Sequence, residues 1–151
     1  MTRAERAMQL FTEGYNCSQA VSLAFEDLLP IDREALSKLS LSFGGGMGRL
    51  REVCGAVSGM FIVAGLLYGE AEPVSGPAKA EHYERIQTLA HSFEALNGSI
   101  ICRELLGLQV KHDCPVSSPR TPEFYKKRPC KELVGQAAQI MEDYIAQHPI
   151  V

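Results

Sequence analysis

Apolar side chains recur at three- and four-residue intervals along most of the chain, the mark of helices with one buried face. Thr2 and Glu5 form a capping box. Ala4, Ala7, Met8 and Phe11 share one face, and Gly14 ends that helix. Asn16 caps a second helix from Cys17 to about Leu29, with Cys17, Ala20, Val21, Ala24 and Leu28 inward and Pro30 as its stop. Asp32 caps a third, with Ala35, Leu36, Leu39 and Phe43 inward. Gly44-Gly45-Gly46-Met47-Gly48 follows, too glycine-dense for a regular element, and predicts a turn or loop. Residues 54 to 68 then break the amphipathic pattern. They are apolar all round except for Ser58, so they belong inside a core. Gly55, Gly59, Ile62 and Gly69, with Ser58 and Gly65 beside them, make a stripe of small residues that lets a neighbouring backbone come close.

A connection over residues 70–77 leads to a helix from about Ala78 to Leu96, with Tyr83, Ile86, Leu89, Ala90 and Phe93 inward. Asn97-Gly98 ends it, and Ser99 caps a short helix through Cys102 to Leu106. Residues 107–129 contain Pro115, Pro119, Pro122 and Pro129 and read mostly as loop. The last helix runs from Cys130 to about Gln147 on a stripe of Leu133, Val134, Ala137, Ile140, Met141, Tyr144 and Ile145. No strand alternation and no internal repeat is visible. The expected fold is all-α: one helical domain over residues 1–151, a compact bundle of five or six helices around the central glycine-rich helix at about 54–68.

Composition adds exclusions. With 46% hydrophobic and 22% charged residues, this is an ordinary globular chain, long enough to bury a core without disulfides. A formal charge of -3 gives no reason to expect nucleic acid. The central apolar stretch is shorter than the about 20 residues a membrane helix needs, so no membrane insertion is expected. The first residues lack an apolar run and a cleavage site, which points to the cytoplasm, where thiols stay reduced. Five cysteines there suggest metal or redox chemistry more than structural disulfides. A homodimer is common among soluble proteins, but no exposed stripe demonstrates one.

Cys17, Cys54, Cys102 and Cys130 each fall at the start of a predicted helix. A thiol there meets unpaired N–H groups and the positive end of the helix dipole, and both favour the thiolate, which is the nucleophile and the metal ligand. Arg51, Arg103, Arg128 and Lys131 lie near them in sequence. The alternative is that these thiols are small buried hydrophobes. Cys114, in the proline-rich loop, reads as peripheral. No C-x-x-C pair occurs, so zinc-ribbon and thioredoxin signatures are absent and any site must be assembled by the fold. Gly44, Gly45, Gly46 and Gly48 before a helix could hold an anion with backbone N–H groups, though neither a P-loop nor a dinucleotide motif is present. A tight turn between packed helices is the plainer explanation. His82 and His91 read as surface or boundary residues.

With the cysteines placed, the chain resembles the C_GCAxxG_C_C family of small proteins to which a redox role is attached. The matching segments are Tyr15-Asn16-Cys17-Ser18-Gln19-Ala20-Val21, Phe43-Gly44-Gly45-Gly46-Met47-Gly48, Cys54-Gly55-Ala56-Val57-Ser58-Gly59, Cys102-Arg103-Glu104-Leu105-Leu106-Gly107 and Arg128-Pro129-Cys130. It is the ordered set that is specific. The resemblance implies a helical domain and makes Cys17, Cys54, Cys102 and Cys130 the family's four cysteines, with no counterpart for Cys114. It also extends to a region of some split-Soret cytochromes, which implies an iron–sulfur cluster as a candidate cofactor. A covalent haem is not expected, since C-x-x-C-H is missing.

Four functions follow. The four thiolates hold an iron–sulfur cluster and pass electrons to a redox partner. Alternatively two of them cycle between dithiol and disulfide, or all four hold zinc. In the fourth, the chain is a non-enzymatic helical interaction module with packing cysteines.

Overall fold

The computed structural model describes residues 1–71, 73, 75–109 and 113–150, without the side chains of Lys126 and Lys127. The expected connection over 70–77 and the expected loop over 107–129 therefore fall partly outside the described residues, at 72, 74 and 110–112. The fold is all-α. Among the described residues, six helices have seven residues or more: α1 (Arg3–Thr12), α2 (Cys17–Leu23), α3 (Arg33–Leu41), α5 (Gly55–Tyr68), α6 (Gly76–Asn97) and α9 (Cys130–Gln147). Three are shorter: α4 (Gly44–Met47), α7 (Cys102–Leu105) and α8 (Pro122–Lys127). The last of these lies inside the segment expected as loop. Thr121 caps it and Pro122 opens it, a position where the missing N–H costs nothing.

The caps expected at Thr2, Asn16 and Asp32 form. The second helix is shorter than expected. It stops at Leu23, and a 3-10 turn over Glu26–Leu28 leaves Leu28 exposed rather than inward. Leu39 and Tyr83, also expected inward, are exposed. Ser99 is not the cap of α7. Ile101 takes that position, while the Ser99 hydroxyl accepts from the Ile101 amide and donates to Glu104.

One contiguous apolar cluster joins α1, α2, α5, α6 and α9. Two helices share its centre. Residues 18 to 23 of α2 are all buried, and so are residues 55 to 60 of α5. They meet at Gly55 and Gly59. A Cβ on Gly59 would lie 2.8 Å from the Val21 Cβ and 3.0 Å from the Ser18 carbonyl oxygen. The rest of the expected small-residue stripe does not serve this contact, for a Cβ on Gly65 would meet nothing within 4 Å. On the other flank α9 packs against α1. There Gly135 admits Met8, whose sulfur would stand 2.9 Å from an added Cβ. These close approaches bring the starts of α2, α5 and α9 to one end of the bundle.

Candidate functional site

Each of the four cysteines is placed by a different local device. Cys17 is the first residue of α2, fixed by the reciprocal Asn16–Gln19 capping box. Cys130 opens α9, behind Pro129. Cys54 precedes α5, and Cys102 opens α7. These last two flank an isolated antiparallel bridge between Val53 and Ile101. The Cys54 amide donates to the Ile100 carbonyl at 2.8 Å, and the Cys102 amide to the Glu52 carbonyl at 2.6 Å. Sequence alternation could not reveal so short a ladder.

All four cysteines line one cavity of about 30 Å³, closed by Leu105, Leu133 and Arg51 among others. Cys54 and Cys102 are buried at 5% and 6% exposure. Cys17 and Cys130 are half-buried. They also line a second space, an open groove of about 400 Å³. The site thus has an inner pair and an outer pair. Cys114 is exposed and lines neither space. His82 lies away from them, against Arg85, and His91 is exposed.

The glycine turn is what makes the cavity compact. Gly46 has φ +70°, and a Cβ there would fall 2.6 Å from the Cys102 Cβ and 2.8 Å from the Arg51 Cα. The N–H groups of Met47, Gly48, Leu50, Arg51 and Glu52 are turned onto carbonyls of Phe43, Gly44, Met47, Gly45 and Gly46. What the glycines supply here is clearance. Gly45 and Gly46 line the cavity, and Gly44, Gly45 and Gly48 line the groove. Left-handed backbone continues past the glycines at Met47, Arg49 and Arg51. A side chain disfavours this conformation, and such strain gathers at functional sites.

Arg51 is the residue that this strain delivers. It is 2% exposed. Its Nη1 donates toward the Cys102 sulfur at 3.6 Å, and its Nη2 meets Asp113 at 2.8 Å. Arg49 shares the same Asp113 oxygen at 3.2 Å. Sequence reasoning noticed Arg51 only as a neighbour of Cys54 and missed Asp113 altogether. Two basic residues and one acid scattered through a polar turn and a loop carry no spacing signal. Arg103 turns elsewhere, to Glu52 and the Arg51 carbonyl.

The thiols are not equivalent. The neighbouring Cys130 sulfur, together with burial, holds the Cys17 proton on well above the ordinary thiol range. The Cys17 thiol beside it pulls Cys130 down. Burial opposes that pull, and Arg128, Arg51 and Arg120 add to it. Burial pushes Cys54 up to about 12, against the N–H groups of Ala56 and Val57. Burial also raises Cys102, against the pull of Arg51. Cys130 alone is held below the ordinary thiol range, and it is Cys17 and the nearby arginines that do this, not the helix start. At Cys54 and Cys102 loss of water is the largest cause of the rise.

The donor chemistry of four thiols suits a cluster or a zinc ion. The space does not suit a cluster. About 30 Å³ holds roughly one or two waters, and a cluster of several irons and sulfides is larger. Among the described residues, no three Cys, His, Asp or Glu side chains are arranged to hold a metal ion. A dithiol pair needs no further room.

Fold and pocket together define a class: a small helical protein with four convergent thiols, two buried and two at the mouth of a groove. The chain belongs to the family described as "Putative redox-active protein (C_GCAxxG_C_C)", whose model matches residues 15–144. No curated protein and no solved structure matches it. No helix among the described residues is long and apolar enough to cross a membrane.

Proposed function

We propose that the protein is a dithiol/disulfide redox protein in which Cys130 is the attacking thiol and Cys17 the resolving one. The observation that carries this is that Cys17 and Cys130 line both the inner cavity and the open groove, so they are the two thiols of the site that a substrate reaches. In the oxidising half-reaction the Cys130 thiolate attacks one sulfur of a disulfide substrate. The substrate S–S bond breaks and one substrate thiolate leaves. Cys17 then loses its proton and attacks the Cys130 sulfur of the mixed disulfide. The second substrate thiolate departs, and the Cys17–Cys130 bond holds the oxidising equivalents. Counting the proton that Cys130 released to become a thiolate, the chain has given up two electrons and two protons, and the two substrate thiolates take up those protons to become thiols. Reversal returns them.

Cys54 and Cys102 stay protonated behind this pair, with Arg51 beside Cys102. Reduced thiols as the resting state suit a cytoplasmic setting. The test is an assay for iron, zinc and acid-labile sulfide on protein purified without air, with thiols counted before and after mild oxidation. The expected result is no stoichiometric metal or sulfide and the loss of two thiols. Iron with sulfide in stoichiometric amount would replace this reading by a cluster in an opened form of the pocket. Zinc alone would make the site structural.

A further inference from the structure

The groove in front of Cys17 and Cys130 carries an excess of positive charge that thiol chemistry alone does not require. Arg49, Arg51, Arg120 and Arg128 line it, and among the described residues no Asp or Glu does. Asp113, just outside, is shared by Arg49 and Arg51. Arg120 spends its donors on the backbone carbonyls of Phe11 and Tyr15, which leave its charge whole, and its guanidinium lies 4.0 Å over the Phe11 ring. Arg128 lies over the Phe124 ring at 5.5 Å. Among the described residues neither Arg120 nor Arg128 has an acidic partner. The whole chain carries a formal charge of -3, so this local excess runs against its average. The groove has the volume of a small-molecule site, at the lower end of the usual range of about 300–1,000 Å³.

We infer that the groove binds a small thiol or disulfide compound bearing carboxylates, its anionic groups on Arg120 and Arg128 and its sulfur facing Cys130. The Arg128 guanidinium can match a carboxylate with paired hydrogen bonds, Arg120 adds its charge, and aromatic faces hold both in place. This rests on the dithiol reading and names the substrate class for it.

The test compares three symmetrical disulfides on fully reduced protein at low ionic strength, with modification of Cys130 followed by mass spectrometry. The probes are 3,3′-dithiodipropionate (two carboxylates), 2-hydroxyethyl disulfide (neutral) and cystamine (two ammonium groups). An isolated thiolate reacts faster with the dication, because opposite charges attract. The groove inverts that order. The dicarboxylate should react about tenfold faster than cystamine, and salt at ~0.5 M should erase the difference. Arg128→Gln should cut the ratio at least about threefold, and Arg128→Lys should keep most of it. Ratios are used because the substitution changes Cys130 itself and so slows all three probes together. Cystamine reacting as fast or faster would overturn the inference and leave the dithiol reading standing.

Binding of 3,3′-dithiodipropionate to Cys130→Ser, by calorimetry, separates the two claims. Binding that Arg128→Gln weakens supports the anionic site even if no disulfide reacts. No binding to either protein overturns it.

Discussion

Two half-buried thiols, at the starts of α2 and α9, are chemically unequal because each shifts the other in the opposite sense and arginines stand near one of them. Cys17 keeps its proton, and Cys130 loses its proton more readily than an ordinary thiol. The alkylation rate of Cys130 by iodoacetamide, followed against pH, should therefore rise with a midpoint below the ordinary thiol value of about 8.5. In Cys17→Ala the neighbouring thiol that pulls Cys130 down is gone, and the midpoint should move up. An unchanged profile in Cys17→Ala would mean that the arginines alone set the reactivity of Cys130. The side chains that decide the outcome at this scale are the least legible in sequence. Arg51 and Asp113 are 62 positions apart, and their meeting depends on a left-handed turn that the glycines permit but do not announce.

At the scale of elements, the glycines of α5 divide into two kinds. Gly59 sits where α2 crosses, with the Ser18 carbonyl 3.0 Å from an added Cβ and no flexible side chain end to yield. Gly65 sits in open space on the same helix. Gly59→Ala should destabilise the fold by about 1–3 kcal/mol through overpacking. Gly65→Ala should stabilise it by up to about 1 kcal/mol, since only helix propensity and chain entropy change. Urea denaturation of both variants checks the pair, and equal effects would mean that α2 and α5 do not meet at Gly59. The helices with strong apolar periodicity, α1 and α9, were legible within a residue or two, because local rules fix their faces and, at α1, a capping box fixes the start. The end of α2 was not. Its pattern runs on to Leu28, but the chain leaves the helix at Ala24 and turns, and packing of Phe25 into the core overrides the helical periodicity. In α6 the apolar positions overstate burial. Only Leu89 and Phe93 are enclosed along its 22 residues, and Tyr83 faces out.

Across the whole molecule, the pocket joins four segments whose cysteines lie at 17, 54, 102 and 130. Their position at helix starts was readable, as was the family pattern that groups them. Which two would share the groove was not, because no spacing rule relates residues brought together by the crossings of α2 with α5 and of α9 with α1. The division into an inner and an outer pair is likewise a property of the fold. Burial isolates Cys54 and Cys102, while the groove reaches Cys17 and Cys130. The most direct measurement is peptide mapping by mass spectrometry after oxidation of the reduced, metal-free protein with one equivalent of a small disulfide. The account predicts a single Cys17–Cys130 disulfide, with Cys54, Cys102 and Cys114 still free thiols. A disulfide joining Cys54 to Cys102, or Cys130 left reduced while another cysteine is consumed, would contradict it.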